Sequence, residues 1–193
     1  MLGLLIAMKQ VEKYGSAILR EEAVPIEVVD DDIKALADDM IATMRAENGI
    51  GLAAEQVGRR EALCVIEVPI ELDFDRNHQR MNLGVDMPLV LINPVITASS
   101  DDMDVCEEGC LSFPGFSLPI KRPSRVSVRY LDLRGDNNEI SVQGLVARAI
   151  QHEMDHLEGR LIIDHISKVK RLSIAGQLKK LKQETESGLA MRT

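Results

Sequence analysis

The segment that most constrains the fold is QHEMDHLEG, residues 151–159, because it contains the pattern H-E-x-x-H. On an α-helix, His152 and His156 lie one turn apart on one face, so both imidazoles can reach the same metal ion. Continuing the helical period towards the N-terminus places Leu145 and Ala149 on that face. These apolar neighbours predict that the histidines face the interior. The pattern therefore favours a buried metal site on this helix, and the alternative is a pair of core histidines that are only hydrogen-bonded.

Glu153 directly follows the first histidine of this pattern. Its carboxylate would lie close enough to take a proton from a water molecule at the ion without being a ligand itself. Catalytic sites of the zinc type carry three protein donors and keep one position open, so a third ligand is required. The residues that follow, LEGRLIIDH, lack the third histidine of the HExxHxxGxxH metallopeptidases, and His165 comes nine residues after His156. A different HExxH peptidase is therefore an alternative that lacks a downstream ligand.

The chain has three cysteines, which are the soft donors available to such a site. Cys64 lies in the apolar run ALCVIEV, where a cysteine is typical of a buried core. Cys106 and Cys110 lie in CEEGCLS, and their spacing permits two arrangements. In one, both cysteines and both histidines close a tetrahedral structural zinc module. In the other, one cysteine joins the histidines and the fourth position stays open for catalysis. Glu153 favours the second arrangement, but the spacing alone leaves both open.

Composition restricts the class of protein. A length of 193 residues suffices for one well-buried core and is short for two large domains. The formal net charge of −8 argues against a surface that binds nucleic acid throughout. No apolar run reaches the roughly 18 residues of a membrane span, and the opening MLGLLIAM lacks the basic residues that begin a signal peptide. Since three cysteines without an export signal favour a reducing compartment, we expect a cytoplasmic protein with no membrane contact.

The hydrophobic pattern predicts one α+β domain that spans residues 1–193. Residues 30–49 have an apolar stripe at helical spacing, with Asp30 as the capping residue. Further helices are predicted over residues 143–159 and, at the C-terminus, about residues 167–184. Four strands and one long loop are predicted between them: residues 62–68, 89–96, 125–131 and 139–143, with the loop at 69–88. We expect antiparallel strands packed around the central HExxH metal-binding helix, with helices at the N- and C-terminal ends.

Three segments resemble the signature motifs of the peptide deformylase family, whose members remove the N-formyl group from new bacterial polypeptides. They are GIGLAAEQ (residues 49–56), EGCLS (residues 108–112) and QHEMDHLEG (residues 151–159), and weaker similarities extend the likeness over residues 12–167. Two features depart from the family. Glu55 stands in the first motif where proline is frequent, and the loop at residues 69–88 is longer than usual.

The resemblance implies a ligand set and a general acid and base. Cys110, His152 and His156 would hold the metal, and Glu153 would transfer protons. The family's preferred metal in cells is ferrous iron, Fe²⁺, with Zn²⁺ or Ni²⁺ able to occupy the site. The resemblance thus favours the open arrangement over the closed module.

The resemblance also implies how the substrate is held. The Gln56 amide and the backbone N–H of Leu111 would polarise the formyl oxygen, which places both in the catalytic set. The substrate would be the N-terminal formyl-methionine of a nascent peptide, which requires an apolar pocket and closely approaching backbone. The candidate substrate-binding residues are Ile50, Gly51, Gly109, Arg122, Leu145 and Ala149.

The predicted C-terminal helix is basic although the chain as a whole is acidic. One interpretation is a solvated helix face. The other is docking near the ribosomal exit tunnel through contacts with RNA phosphates. The residues concerned are Lys168, Lys170, Arg171, Lys179, Lys180 and Lys182. We expect the protein itself to be a monomer.

Overall fold

The computed structural model describes residues 7–190, so the first six residues of the chain, on which the signal-peptide expectation partly rests, lie outside the described residues. The helices are α1 (Asp31–Ala46), α2 (Gly144–Leu157), α3 (Lys168–Ser173) and α4 (Ala175–Ala190). The strands are β1 (Gly51–Ala53), β2 (Leu63–Ile66), β3 (Leu89–Ser99), β4 (Met103–Gly109), β5 (Ser117–Pro123), β6 (Arg125–Leu131) and β7 (Asn137–Gln143).

The strands form two antiparallel sheets. Five strands are ordered β1-β2-β3-β6-β7, and β4 pairs with β5 in a separate two-stranded sheet. The helix that carries the H-E-x-x-H pattern, α2, contacts strands of both sheets. The predicted α+β architecture, with antiparallel strands packed around this helix, is confirmed.

The side chains of β2 divide the core into two layers. Successive residues of a strand point to opposite faces of its sheet. Cys64 and Ile66 belong to an apolar cluster with residues of α2, whereas Leu63 and Val65 belong to a cluster with residues of α1. Because both faces are covered, this strand needs an unbroken apolar run instead of an alternating one. The buried position predicted for Cys64 is confirmed.

The first helix begins where the sequence predicts. Asp30 accepts a hydrogen bond from the N–H of Ile33 at 2.9 Å, which satisfies one of the free donors of the first turn. The predicted stripe is buried, with Met40 and Met44 fully inside. The helix ends at Ala46, just before the glycine-containing segment that leads into β1.

The C-terminal segment differs from the single helix predicted over about residues 167–184. It forms two helices, α3 and α4, separated at Ile174, and the second continues to Ala190. Leu178 and Leu181 are buried in a third apolar cluster together with Phe113. The basic side chains predicted on this segment are exposed. Among residues 7–190, no helix combines the length and the apolar composition that crossing a membrane requires.

Candidate metal centre and active-site cleft

The C-terminal half of α2 and the segment after β4 bring three donor side chains together. The ligand atoms of Cys110, His152 and His156 all lie within 4.8 Å of one another, and no other such group occurs among residues 7–190. The Sγ of Cys110 is 3.3 Å from Nε2 of His156. Cys106 lies outside this group, with an exposed thiol 3.3 Å from Oδ2 of Asp104. The closed module with two cysteine ligands is therefore at odds with the structure.

The donor set fits a transition metal. One sulfur and two imidazole nitrogens are soft or borderline ligands, whereas calcium and magnesium prefer oxygen. Burial would raise the pKa of the Cys110 thiol, but the charge of His156 and the hydrogen bond from His152 hold it well below its usual value. A thiolate is the form that binds metal. Three protein donors leave one coordination position open, which is typical of catalytic sites.

Glu108 holds one of the histidines in place. Its Oε2 lies 2.9 Å from Nδ1 of His152, so the other ring nitrogen is the one available to the metal. Arg122 donates two hydrogen bonds to this carboxylate at 2.6 and 2.9 Å, and Arg148 donates a third at 2.7 Å. Burial would raise the pKa of Glu108, but the contacts with His152 and Arg122 lower it well below its ordinary value. A carboxylate behind a ligating histidine fixes the orientation of the ring.

Arg122 does not occupy the position expected of a substrate contact. It is buried, and its guanidinium is occupied by Glu108 and by Oδ2 of Asp155 at 2.8 Å. Asp155 also accepts a hydrogen bond from Nε2 of His165 at 2.7 Å. Arg122 is absent from the walls of the cleft. The physical reason is that a buried guanidinium requires carboxylate partners, which Glu108 of β4 and Asp155 of α2 provide in the interior.

Glu153 lies beside the donor group with little freedom. A Cβ atom at Gly51 would overlap with its Oε1, so the glycine of β1 makes room for this carboxylate. Its Oε2 has no hydrogen-bond partner among the described residues. Burial raises the pKa of Glu153 to about 7, against the opposing charges of His152 and His156. A carboxyl group with a pKa near neutrality can both accept and return a proton.

Two hydrogen-bond donors face the same space. The Oε1 of Gln56 accepts the N–H of Ala53 at 2.9 Å, which turns its Nε2 towards Ser112 Oγ at 3.2 Å and Cys110 Sγ at 3.6 Å. The N–H of Leu111 has no hydrogen-bond partner among residues 7–190. The Leu111 N–H is therefore free for a negatively charged oxygen near the metal ligands, and the Gln56 amide could serve the same oxygen by exchanging its contact with Cys110 or Ser112.

A cleft of about 470 Å³ opens onto these groups. Ile50 and Leu145 are half-buried in its wall, and Ala149 is buried between Leu145 and the metal ligands along α2. The predicted site residues in its lining are Ile50, Gly51, Gln56, Gly109, Cys110, Leu111, Leu145, Ala149, His152 and Glu153. The aromatic residues Phe113 and Phe116 also line it, and the sequence did not single them out.

Comparison with known proteins decides the family. The model of the polypeptide deformylase family matches residues 8–172. The chain belongs to the peptide deformylase family. A peptide deformylase from Bartonella quintana is 47% identical over 167 residues, which cover 86% of this chain and 89% of that protein.

Solved structures of peptide deformylases show the same fold. The crystal structure from Ehrlichia chaffeensis has a TM-score of 0.82 and 37% identity, and the match covers 93% of this chain and 99% of that one. A structure from Acinetobacter baumannii, determined with Met-Ala-Ser bound, has a TM-score of 0.74 and 34% identity, with coverage of 84% and 100%.

The protein is accordingly a metal-dependent hydrolase that removes the N-formyl group from the N-terminal formyl-methionine of newly synthesised polypeptides and releases formate. This confirms the activity implied by the three motifs. It also sets aside the closed zinc module and the unrelated HExxH peptidase as alternatives.

Sequence reasoning missed the supporting residues of the metal centre. Glu108 lies within the EGCLS motif, but only the structure shows that it contacts His152. Arg148 lies on α2, where an arginine is ordinarily expected to be exposed, but its side chain is buried and donates a hydrogen bond to Glu108. Ser112 is fully buried beside the Gln56 amide. Their partners come from distant segments, and no local spacing signals them.

Proposed function

We propose that Cys110, His152 and His156 hold a divalent metal, which is Fe²⁺ in the cell and can be replaced by Zn²⁺ or Ni²⁺. The convergence of one thiolate and two imidazoles supports this assignment. When bound, such an ion lowers the pKa of water at the open position and polarises a carbonyl group.

We further propose that Glu153 is the general base and acid. It accepts the proton of the attacking water as oxygen adds to the formyl carbon, and it then donates that proton to the amine as the C–N bond breaks. The products are formate and a free N-terminus. The single observation that carries this role is the buried, unpartnered Oε2 of Glu153 beside the three donor side chains.

Gln56 Nε2 and the Leu111 N–H are proposed to bind the oxyanion that forms during attack. The Leu111 N–H is part of the backbone, and the Gln56 amide is oriented by the Ala53 N–H, so the negative charge develops beside donors that are already in place. Gln56 would exchange one of its present contacts, to Ser112 or Cys110, for the oxyanion. A donor of this kind typically contributes about 3–4 kcal/mol to transition-state stabilisation.

The methionine side chain is proposed to lie against Ile50, Leu145 and Ala149, with the peptide backbone passing Gly51 and Gly109. The apolar wall of the cleft supports this pocket. The Acinetobacter relative was crystallised with Met-Ala-Ser, a peptide that begins with methionine. We do not propose a substrate contact for Arg122.

The test is formate release from formyl-Met-Ala by protein purified without oxygen and loaded with Fe²⁺. We expect formate and free amine in equal amounts, and only background from a Glu153→Ala variant with the same metal content. Formate release by that variant at the wild-type rate would overturn the role of Glu153. Metal analysis of the anaerobically isolated protein tests the iron assignment, which a predominance of zinc would contradict.

We also propose that the whole chain, residues 1–193, is one domain of a cytoplasmic monomer and that the basic tail contacts the ribosome near the exit tunnel. Removing the tail would expose the core, because Leu178 and Leu181 are buried. Charge reversal at Lys179 and Lys180, which are exposed, is a cleaner test. We expect weaker co-sedimentation with ribosomes at low salt than for a double reversal at Lys121 and Arg125, two exposed cations outside the tail. Equal binding by the two variants would contradict the proposal.

A further inference from the structure

The long loop at residues 69–88 folds back onto the start of α2. Asp73 and Asn82 are buried although they belong to a loop, and they hydrogen-bond to each other. The backbone N–H of Asn82 also donates to Asp73 Oδ2 at 3.2 Å. Buried polar side chains of this kind are ordinarily satisfied by specific partners. The pair therefore fixes the loop around one internal contact.

Asn82 also makes a reciprocal contact with the residue that precedes α2. Its Oδ1 accepts the N–H of Gln143 at 2.9 Å, and its Nδ2 donates to the Gln143 carbonyl at 3.1 Å. The Gln143 side chain in turn donates to the carbonyl of Met81 at 3.1 Å. Gln143 occupies the capping position of α2 but makes no capping hydrogen bond with its own side chain. The loop thus supplies three hydrogen bonds at this end of the helix, and the carbonyl of Ser124 accepts a further one from the Gly144 N–H at 3.0 Å.

The loop and the helix approach each other closely at the next residue. Gly144 has a φ of +63°, and a Cβ atom there would lie 2.6 Å from Cε of Met81. Only glycine combines this backbone conformation with this approach at little cost. The contact is therefore a packed junction as well as a set of hydrogen bonds.

The same loop reaches the wall of the proposed methionine pocket. Val85 and Met87 pack in the apolar cluster that includes Ile50 and Leu145. A second cavity of about 600 Å³ is lined by residues of the loop, and it shares Asn48, Gly49 and Ile50 with the active-site cleft. Leu145 lies in the first turn of α2, directly after the junction. The position of this pocket wall thus depends on how the loop holds the helix start.

We propose that Asn82 is a positioning residue for substrate selection, which anchors the first turn of α2 and so sets the place of Leu145 in the pocket. This inference rests on the proposed methionine pocket. Its effect is local, because a helix end loosens within its first turn, whereas His152 lies two turns further on and is held by Glu108. Loss of the anchor should therefore weaken recognition of the side chain and leave the metal centre intact.

The experiment compares metal-loaded full-length wild-type protein with Asn82→Ala on two peptides, formyl-Met-Ala-Ser and formyl-Ala-Ala-Ser. Asn77→Ala is the matched control, since Asn77 is an exposed asparagine in the same loop. We expect Asn82→Ala to raise KM for the methionine peptide roughly 5- to 10-fold, with kcat within about 2-fold, and to narrow the preference for methionine over alanine by a similar factor. Metal content should be unchanged, and the control should match wild type.

A conservative exchange and a milder variant complete the test. Asn82→Asp places two carboxylates in contact and should be worse than Asn82→Ala, whereas Asp73→Asn combined with Asn82→Asp should restore part of the selectivity. If Asn82→Ala fails to fold, Gln143→Ala removes only the contact to Met81 and should shift KM in the same direction by about 2-fold.

The possible failures are distinguishable. The anchoring role is overturned if folded, metal-loaded Asn82→Ala has the KM and the selectivity of wild type. Where Asn82→Ala does not fold, the same result for Gln143→Ala overturns it. An equal loss of kcat on both peptides together with loss of metal also overturns it. Absence of any methionine preference in the wild-type protein instead contradicts the proposed pocket, and absence of formate release contradicts the proposed catalytic site.

Discussion

Nδ1 of His152 and Oε2 of Glu108 are 2.9 Å apart in the buried centre of the molecule. The contact joins the metal-binding helix to strand β4, and two arginines neutralise the carboxylate from behind. The ligand set is thus built on an ion-pair network that joins α2 to the two-stranded sheet of β4 and β5. Because a metal-ligating histidine depends on its second hydrogen bond for orientation, this network should control metal affinity.

Glu108→Gln should weaken metal binding by about 10- to 100-fold, since the amide provides a poorer acceptor for His152 and leaves the arginines uncompensated. Competition with a chromogenic chelator measures the affinity. The matched control is Glu107→Gln, because Glu107 is the exposed neighbour on the same strand and accepts a hydrogen bond from Ser117 Oγ instead of from a metal ligand. Equal chelator competition by the two variants would refute the role of Glu108.

The two cysteines of CEEGCLS should respond differently to substitution. Cys110→Ser should lose the bound metal, because a hydroxyl is a poor substitute for a thiolate ligand. Its formate release should therefore fall to background. Cys106→Ser should retain both, since this thiol is exposed and distant from the donor group. Metal analysis and a formate assay of both variants check this, and metal loss from Cys106→Ser would revive the closed module.

Glu55 should make the folded protein less stable as pH rises. It is fully buried, neither carboxylate oxygen has a hydrogen-bond partner among the described residues, and burial raises its pKa to about 8, with a smaller contribution from the charge of Glu153. The folded state therefore holds this proton more tightly than the unfolded state. Between the ordinary pKa of 4.5 and about 8, each step up in pH favours unfolding.

Glu55→Gln removes this dependence because the amide does not ionise. We expect the variant to match wild type near pH 4.5 and to exceed it in free energy of unfolding by on the order of 2–4 kcal/mol near pH 8. Urea unfolding of the two proteins across this range measures the difference. Glu47→Gln, at an exposed glutamate, serves as control. A constant difference at all pH values would show that Glu55 is ionised in the folded protein.

The sequence predicts those parts of the fold whose signal is local. The stripe of α1, the unbroken apolar run of β2 and the paired histidines of α2 each follow from the spacing within one segment. Strand β4 escapes prediction because most of its side chains are exposed, and its one buried residue is the charged Glu108. A short strand with no apolar face lacks the alternation of apolar and polar residues from which a strand is predicted.

The residues of the site also differ in whether a local sequence signal predicts them. Cys110, His152 and His156 are identified by motif, and the structure brings their donor atoms together. Arg122 is misjudged because its role depends on Glu108 and Asp155, which lie 14 and 33 positions away along the chain. Interactions of that range arise from topology and cannot be inferred from neighbouring residues.

Gly51→Ala should impair catalysis while leaving the metal in place. The new methyl group would overlap with Oε1 of Glu153, so the carboxylate must move away from the reacting atoms. Displacement of a catalytic group by about 1 Å can cost on the order of 100-fold in rate, and we expect a loss of that size in kcat. The formate assay and metal analysis together check this. Gly176→Ala on α4, where a Cβ atom meets nothing within 4 Å, is the control and should retain full activity. Unchanged kcat in a folded Gly51→Ala would mean that Glu153 has room to adjust, and that the glycine is present for the approach of the substrate backbone instead.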